Sequence, residues 1–374
     1  MGQVGETSVY LNRMARVRAE MAAQGVDVLL VSVGHDMPYL SGYEAMPLER
    51  LTMLVVPRDG DAKLVVPRLE APRVVEQPGV FDVITWDETQ DPVAITAALA
   101  AEPARPKVAA VGDQMWARFL VELLAPMAGT EFRRAVDVVG PLRMRKDAAE
   151  VEALRAAGAA ADRVARQLHG GEIPLVGRTE AEVSADISAR LIAEGHDVVN
   201  FAIVAAGENA ASPHHHPGRR VIRAGEIVLT DFGGTMGGYC SDTTRCVYTG
   251  RPTSEIADAY AVLHEAQQAA VAAATVGTPC EEVDAAARRI IAAAGWGEQF
   301  LHRTGHGIGM EAHEEPYIVS GNRLPLEPGH AFSVEPGIYV AGRWGMRLED
   351  IVVATDAGPQ TMNDTDRALV SVDA

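Results

Sequence analysis

Four acidic residues in the second half of this chain stand inside stretches that otherwise read as apolar β-structure. A fold that brings such stretches together must balance the charge it buries. Asp231 and Asp242 lie in IVLTDFGGTMGGYCSDTTRCVYTG, residues 227–250, where two β-type runs flank a glycine-rich turn and predict a hairpin. A symmetric turn centred between Met236 and Gly237 sets Asp231 opposite Asp242 on one face. Taken alone, the pair reads equally well as two aspartates facing water. The stretch HAFSVEPGIYVAGRWGMRLEDIVV, residues 330–353, repeats the pattern about Gly342 and sets Glu335 opposite Glu349. Two such hairpins are hard to explain without a cation, and an all-oxygen set favours a hard or borderline metal such as Mn²⁺.

The histidines divide by context. In LHRTGHGIGMEAHEEPYIV, residues 301–319, Gly305, Gly307 and Gly309 exclude a helix and let backbone approach closely. His306, between two of these glycines, is the candidate imidazole ligand, whereas His302 reads as structural or as a support to the ligands. The triplet in SPHHHPG, residues 212–218, sits in a proline-bounded loop and on its own reads as surface.

The 374 residues suit two domains. Alternating strand and helix signals up to about residue 140 predict a small α/β domain, including a helix over 8–24, strands near 26–32, 51–56, 63–66, 80–86 and 108–111, and a helix opened by Asp91-Pro92. Residues 141–374 predict an α+β domain. Its helices open with the capping boxes Asp147/Glu150 and Thr179/Glu182, a third runs from Ser254, and a fourth is capped by Thr278 with Pro279 at its first position. The formal charge of −18 counts against nucleic-acid and membrane partners. Cys240, Cys246 and Cys280 form no CxxC pair and the N-terminus has no apolar signal core, so the cytoplasm is the expected compartment. G-x-S-x-G, P-loop and dinucleotide-binding signatures are absent.

Together, Asp231, Asp242, His306, Glu335 and Glu349, in the wording DFG…SDTTR…GHGIG…VEPG…RLED, resemble the pita-bread metallopeptidases. That group contains methionine aminopeptidases, aminopeptidase P and prolidase. The likeness covers about residues 141–374, and the preceding domain resembles the creatinase-type N-terminal domain of prolidase and aminopeptidase P. The resemblance implies an exopeptidase with two divalent ions, Mn²⁺ first and Co²⁺ or Zn²⁺ as alternatives, acting on Xaa-Pro bonds of dipeptides or at the N-terminus of short peptides. It also implies a homodimer or larger homo-oligomer. Asp242 and Glu349 would bridge the ions, Asp231 would complete one shell, and His306 with Glu335 the other. Glu335 would also carry the proton, and His214 and His313 would face the substrate and stabilise the oxyanion. Arg347 is either a family arginine near the metals or an ordinary ion-pair partner. The same scaffold could hydrolyse another small amide, or bind without turnover. One departure stands out: some prolidases carry an arginine for the dipeptide carboxylate where this chain has Tyr317. Tyrosine cannot make that bidentate contact. Unless Arg323 or another arginine substitutes, the expectation is tolerance of peptides longer than two residues.

Overall fold

The computed structural model describes the backbone of residues 2–372 and side chains 7–372. The chain divides into two compact units, Met1–Arg143 and Met144–Ala374. The first is built on a six-stranded mixed sheet: β1 (Val28–Val31), β2 (Met53–Pro57), β3 (Ala62–Pro67), β4 (Phe81–Trp86), β5 (Val108–Val111) and β6 (Glu131–Arg134), in the order β4-β3-β2-β1-β5-β6. Helices α1 (Gly2–Gln24), α2 (Asp36–Ser41), α3 (Pro92–Ala100), α4 (Ala117–Leu124) and α5 (Val136–Met144) complete it. Asp91 caps α3 through the Val93 and Ala94 N–H groups, with Pro92 entering the first turn. Leu30, Met53, Val55 and Val65 pack with Trp86 and Phe119 in one core. The short elements α2, β6 and α5 carry too little periodicity to be read from sequence.

The second unit uses one order of elements twice: two helices, then antiparallel strands. Helices α6 (Ala148–His169) and α7 (Glu180–Ala193) precede β7 (Val198–Ala206), β8 (Ile227–Met236), β9 (Tyr239–Cys240) and β10 (Thr243–Thr249). Helices α8 (Ser254–Ala273) and α9 (Cys280–Ala293) precede β11 (Gly305–Gly307), β12 (Glu314–Ile318), β13 (Ala331–Val334), β14 (Gly337–Val340), β15 (Trp344–Arg347) and β16 (Asp350–Val353). Strands β17 (Gln360–Thr361) and β18 (Val370–Val372) edge the two sheets, ordered β18-β10-β8-β7 and β12-β11-β13-β16-β17. Both predicted capping boxes form. Helix α9 differs from expectation: Pro279, with extended ψ, holds the cap position, and the Thr278 hydroxyl pairs with Thr275 at 2.9 Å. Leu168, Val183, Ile187 and Leu191 bury the first helix pair against Val204, Val228 and Phe232. Leu263, Val283 and Ile291 do the same against Phe332, Val334 and Val352.

His330, at the start of β13, is 1% exposed and its Nδ1 accepts the Glu327 N–H at 3.2 Å. Burial pushes its pKa down to about 4, from 6.5. The unfolded chain therefore binds the extra proton first, and stability falls as pH drops from about 6.5 toward 4, by at most about 1.4 kcal/mol per pH unit for this group. Urea unfolding between pH 7 and pH 4.5 should show this slope, reduced in His330→Gln.

Candidate metal centre

The two hairpins deliver the acids. In the first, Gly237 and Gly238 both have positive φ, 56° and 82°, and form a two-residue turn. The resulting register sets Asp231 opposite Thr244, not Asp242. Asp242 is therefore the diagonal neighbour of Asp231, displaced by two residues and still on its face. In the second, the β14–β15 ladder (Gly337 to Arg347) and the β13–β16 ladder (Val334 to Asp350) share one register. Glu335 and Glu349 face each other in the break between the ladders, as expected. His306 comes from β11. A Cβ on Gly305 would lie 1.8 Å from Ser333 O, and one on Gly307 2.1 Å from Glu315 O, so only glycine lets β11 fit between its neighbours.

The ligand atoms of Asp231, Asp242 and Glu349 lie within 4.8 Å of one another, and so do those of His306, Glu335 and Glu349. Asp242 also groups with His306 and His313. Glu349, Asp242 and His306 thus each belong to two clusters. His306 Nδ1 meets Gly307 O at 3.1 Å, which turns Nε2 toward Glu335 Oε1 at 3.2 Å and Asp242 Oδ2 at 3.8 Å. Ser333 Oγ donates to Glu335 Oε1 at 3.1 Å, and Thr244 Oγ1 to Glu349 Oε2 at 2.6 Å.

Electrostatically the cluster is short of cations. Burial, then the neighbouring carboxylates, pushes the pKa values of Asp242 and Glu349 well above the usual range. Burial pushes Asp231 up, with Arg347 opposing. Burial would also raise Glu335, but the bond and charge of His306 hold it down at about 2. Asp231 Oδ1 is buried and has no hydrogen-bond partner among the described residues. An orphaned carboxylate oxygen, two acids that resist ionising and a nitrogen facing both are the donor set a divalent pair requires.

These groups line a cavity of about 430 Å³ together with Phe201, Ile203, Pro213, His214, His302, Arg303, His313 and Arg347. Arg347 is buried and donates to Asp231 Oδ2 at 2.5 Å, Thr244 Oγ1 at 3.0 Å and Tyr339 OH at 2.8 Å. It is at once an ion-pair partner and a wall of the cavity. His302 donates from Nδ1 to Arg303 O at 2.7 Å, and its Nε2 accepts from Tyr339 OH at 2.9 Å. The rings of His306 and His313 lie 3.9 Å apart. Tyr317 is not among the cavity-lining residues. Arg303 covers its ring at 4.2 Å. Arg323 is 87% exposed and pairs with Glu281 at 3.5 Å, away from the cavity.

Residues 152–356 match the model of metallopeptidase family M24, and residues 13–145 match the creatinase/prolidase N-terminal domain. The chain belongs to metallopeptidase family M24. It is 44% identical over 371 residues, 98% of each chain, to a protein named probable dipeptidase PepE in Mycobacterium tuberculosis. It is 36% identical to the Xaa-Pro dipeptidase of Lactobacillus helveticus, over 92% of this chain and 94% of the other. Among solved structures it is similar to dipeptidase PepE from Mycobacterium ulcerans (TM-score 0.91, 44% identity, 98% and 99% covered). It is also similar to a prolidase from Thermococcus sibiricus (TM-score 0.92, 36% identity, 97% and 99% covered). The fold is thus a creatinase-type N-terminal domain followed by a pita-bread catalytic domain, and this M24 chain is a metallopeptidase of the prolidase and aminopeptidase P branch.

Sequence reasoning missed three supports of this M24 site. Strand β7 supplies Phe201 and Ile203 to the cavity, Ile203 opposite Asp231; the apolar run 198–206 was the available signal. Arg245 is wholly buried, pairs with Asp350 at 2.7 Å and donates to Glu349 O, which fixes the backbone of that candidate ligand. Glu180, also wholly buried, accepts from Ala206 N–H (3.0 Å), Asn209 Nδ2 (3.0 Å), His215 Nε2 (2.8 Å) and Gly218 N–H (3.3 Å). It ties down the loop that carries Pro213 and His214.

Removing that acceptor strands buried donors, at about 1–3 kcal/mol each. Glu180→Ala should therefore speed hydrogen exchange across 206–218 and lower turnover, with metal content unchanged by elemental analysis.

Proposed function

We propose that the protein is a dinuclear, manganese-dependent exopeptidase that hydrolyses Xaa-Pro bonds in dipeptides or at the N-terminus of short peptides. The observation that carries this reading is the pair of three-ligand clusters sharing Glu349 within one cavity. Relatives named Xaa-Pro dipeptidase and prolidase supply the substrate class. Asp231, Asp242 and Glu349 would hold one ion, and His306, Glu335, Glu349 and Asp242 the other. The oxygen-rich donor set favours Mn²⁺, with Co²⁺ or Zn²⁺ able to replace it. Divalent ions held there would supply Lewis acidity, lowering the pKa of water and polarising a peptide carbonyl.

The chain's own residues position the substrate and move protons. Glu335 Oε1 is committed to His306 and Ser333, whereas Oε2 faces Arg347 at 3.8 Å. Oε2 takes the proton of the attacking water and returns it to the leaving proline nitrogen. His214 and His313, at the exposed rim of the cavity, donate to the oxyanion as charge develops. Arg347 holds Asp231, and through Thr244 it orients Glu349. Phe201 and Ile203 offer an apolar wall to the substrate. Three free, buried cysteines suit a reducing cytoplasm. Among the described residues no helix is long and apolar enough to cross a membrane. A homo-oligomer rests on family likeness and is tested by light scattering.

Chelation should abolish Ala-Pro hydrolysis and Mn²⁺ or Co²⁺ should restore it. A fully active preparation without divalent metal overturns the proposal. Asp242→Ala should bind markedly less metal than His302→Ala.

Glu335→Gln removes the proton carrier and should lower kcat by about 10²–10⁴-fold. His214→Ala should slow turnover by about 10²–10³-fold while retaining both metal equivalents. Loss of one equivalent would make His214 a ligand instead.

A further inference from the structure

Of the 33 basic residues in the chain only three are lysines, Lys63, Lys107 and Lys146, and they differ in burial. Lys63 forms a surface pair with Asp82, and Lys107 is exposed. Lys146, in the catalytic unit, has a side chain 1% exposed, and its Nζ donates to Glu314 Oε1 at 2.5 Å. The Glu314 side chain is 8% exposed. A chain that meets almost every other need for a cation with arginine keeps an ammonium here, and the available space explains the choice. A Cβ built on Gly309 would lie 2.7 Å from Glu314 Oε1, and 3.0 and 3.1 Å from Lys146 Cε and Nζ. The pair therefore fills the ground beneath Gly309, and a planar guanidinium, larger than an ammonium, has no room there.

The pair stands where three segments of the site meet. Glu314 opens β12 directly after His313, and in the β11–β12 ladder it faces Gly307, the residue after His306. Gly309 O accepts the backbone N–H of Cys240 at 2.8 Å, two residues before Asp242. These segments carry Asp242, His306 and His313, whose ligand atoms lie within 4.8 Å of one another. Lys146 is itself held, because its N–H donates to Gly329 O at 2.9 Å just before β13. His306 has further restraints of its own, through Gly307 O on its ring and Ser333 Oγ on its N–H. The His313 side chain makes no hydrogen bond among the described residues, and its ring contact is with His306. Its place depends on the backbone that carries it.

We infer that Lys146, acting through Glu314, is a positioning residue for His313: the buried pair anchors the start of β12 and so sets the imidazole over the cavity. The inference rests on the exopeptidase reading above, in which His313 donates to the oxyanion. A rim side chain that must meet a developing charge cannot be fixed by contacts within the cavity, since these would occupy the face the substrate needs. It has to be fixed from behind. A buried ion pair suits that task, because displacing either partner strands the charge of the other.

The test is a double-mutant cycle on the Mn²⁺-loaded full-length protein with Ala-Pro as substrate, read together with metal content by elemental analysis. Lys146→Met should lower kcat by about 10- to 100-fold, with KM within about twofold and metal content unchanged. His313→Ala should lower kcat by about 10²–10³-fold. Adding Lys146→Met to His313→Ala should cost less than about threefold more, because both changes remove the same contribution. A purely structural lysine would multiply the two losses, and that outcome overturns the assignment. Wild-type kcat in Lys146→Met, or loss of a metal equivalent, overturns it as well. Lys146→Arg should fail to restore kcat. Gly309→Ala keeps both charges but presses on Glu314, and should lower kcat in the wild type and not in His313→Ala. If Lys146→Met does not fold, Glu314→Gln is read in the same cycle. If the wild type leaves Ala-Pro intact, or His313→Ala keeps full kcat, the reading of the site or of His313 fails. Hydrogen exchange across 307–314 then decides on the anchor alone: faster exchange in Lys146→Met sustains it, and unchanged exchange overturns it.

Discussion

Everything around the cavity answers to one electrostatic problem: four carboxylates and an imidazole packed out of water with a single paired arginine. Charges so placed repel strongly in a low-dielectric setting, and the folded chain keeps them together only by over-determining their positions. Arg347 is the direct counterweight to Asp231 and, through the Thr244 hydroxyl, to Glu349. Behind it, the Arg245–Asp350 pair has no exposure at either partner. Its acid also accepts from Gln267 at 3.0 Å and Arg367 at 2.5 Å. A buried, hydrogen-bonded pair is costly to break from one side. Here its role is positional, because Arg245 spans from β10 to the carbonyl of Glu349 and so sets one hairpin against the other.

The site was largely legible because strand pairing obeys a period of two. Glu335 and Glu349 fall opposite each other as the symmetric turn about Gly342 requires. Asp231 and Asp242 do not, because the true turn is centred one residue later, between Gly237 and Gly238, and the partner of Asp231 shifts by two positions to Thr244. A shift of two preserves the face, so the two aspartates converge even though the partner was misjudged. Gly237-Gly238 was readable as the stronger two-residue turn, since both positions need positive φ.

The contacts that sequence pattern did not carry are long-range and polar. Glu180 reads as the first acidic residue of a capped helix, yet it holds a loop about 30 residues away in sequence. Arg245 and Asp350 lie inside motifs that mark the ligands, where the ligands themselves draw the attention. Nothing in periodicity separates a charged residue that faces water from one that closes a buried network. The Arg303–Tyr317 stack is of the same kind. Tyr317 stands where an arginine was expected, and only the fold shows that a cation from the segment before β11 lies across its ring.

Three of the five candidate ligand residues sit where strands break. Asp242 lies between β9 and β10, Glu335 between β13 and β14, and Glu349 between β15 and β16. A break frees a side chain from the strict alternation of the pleat, which would otherwise send neighbours to opposite faces. The same break releases backbone donors, and each is taken up locally: Ser241 N–H by Gly234 O at 2.8 Å, Glu335 N–H by Thr304 O at 2.8 Å, Glu349 N–H by Thr244 O at 3.3 Å. The ligands therefore leave the pleat without gaining freedom, which is the condition for a preorganised site. At the rim, by contrast, His214 and His313 are exposed, so the acids are held below while the two histidines face whatever enters the cavity.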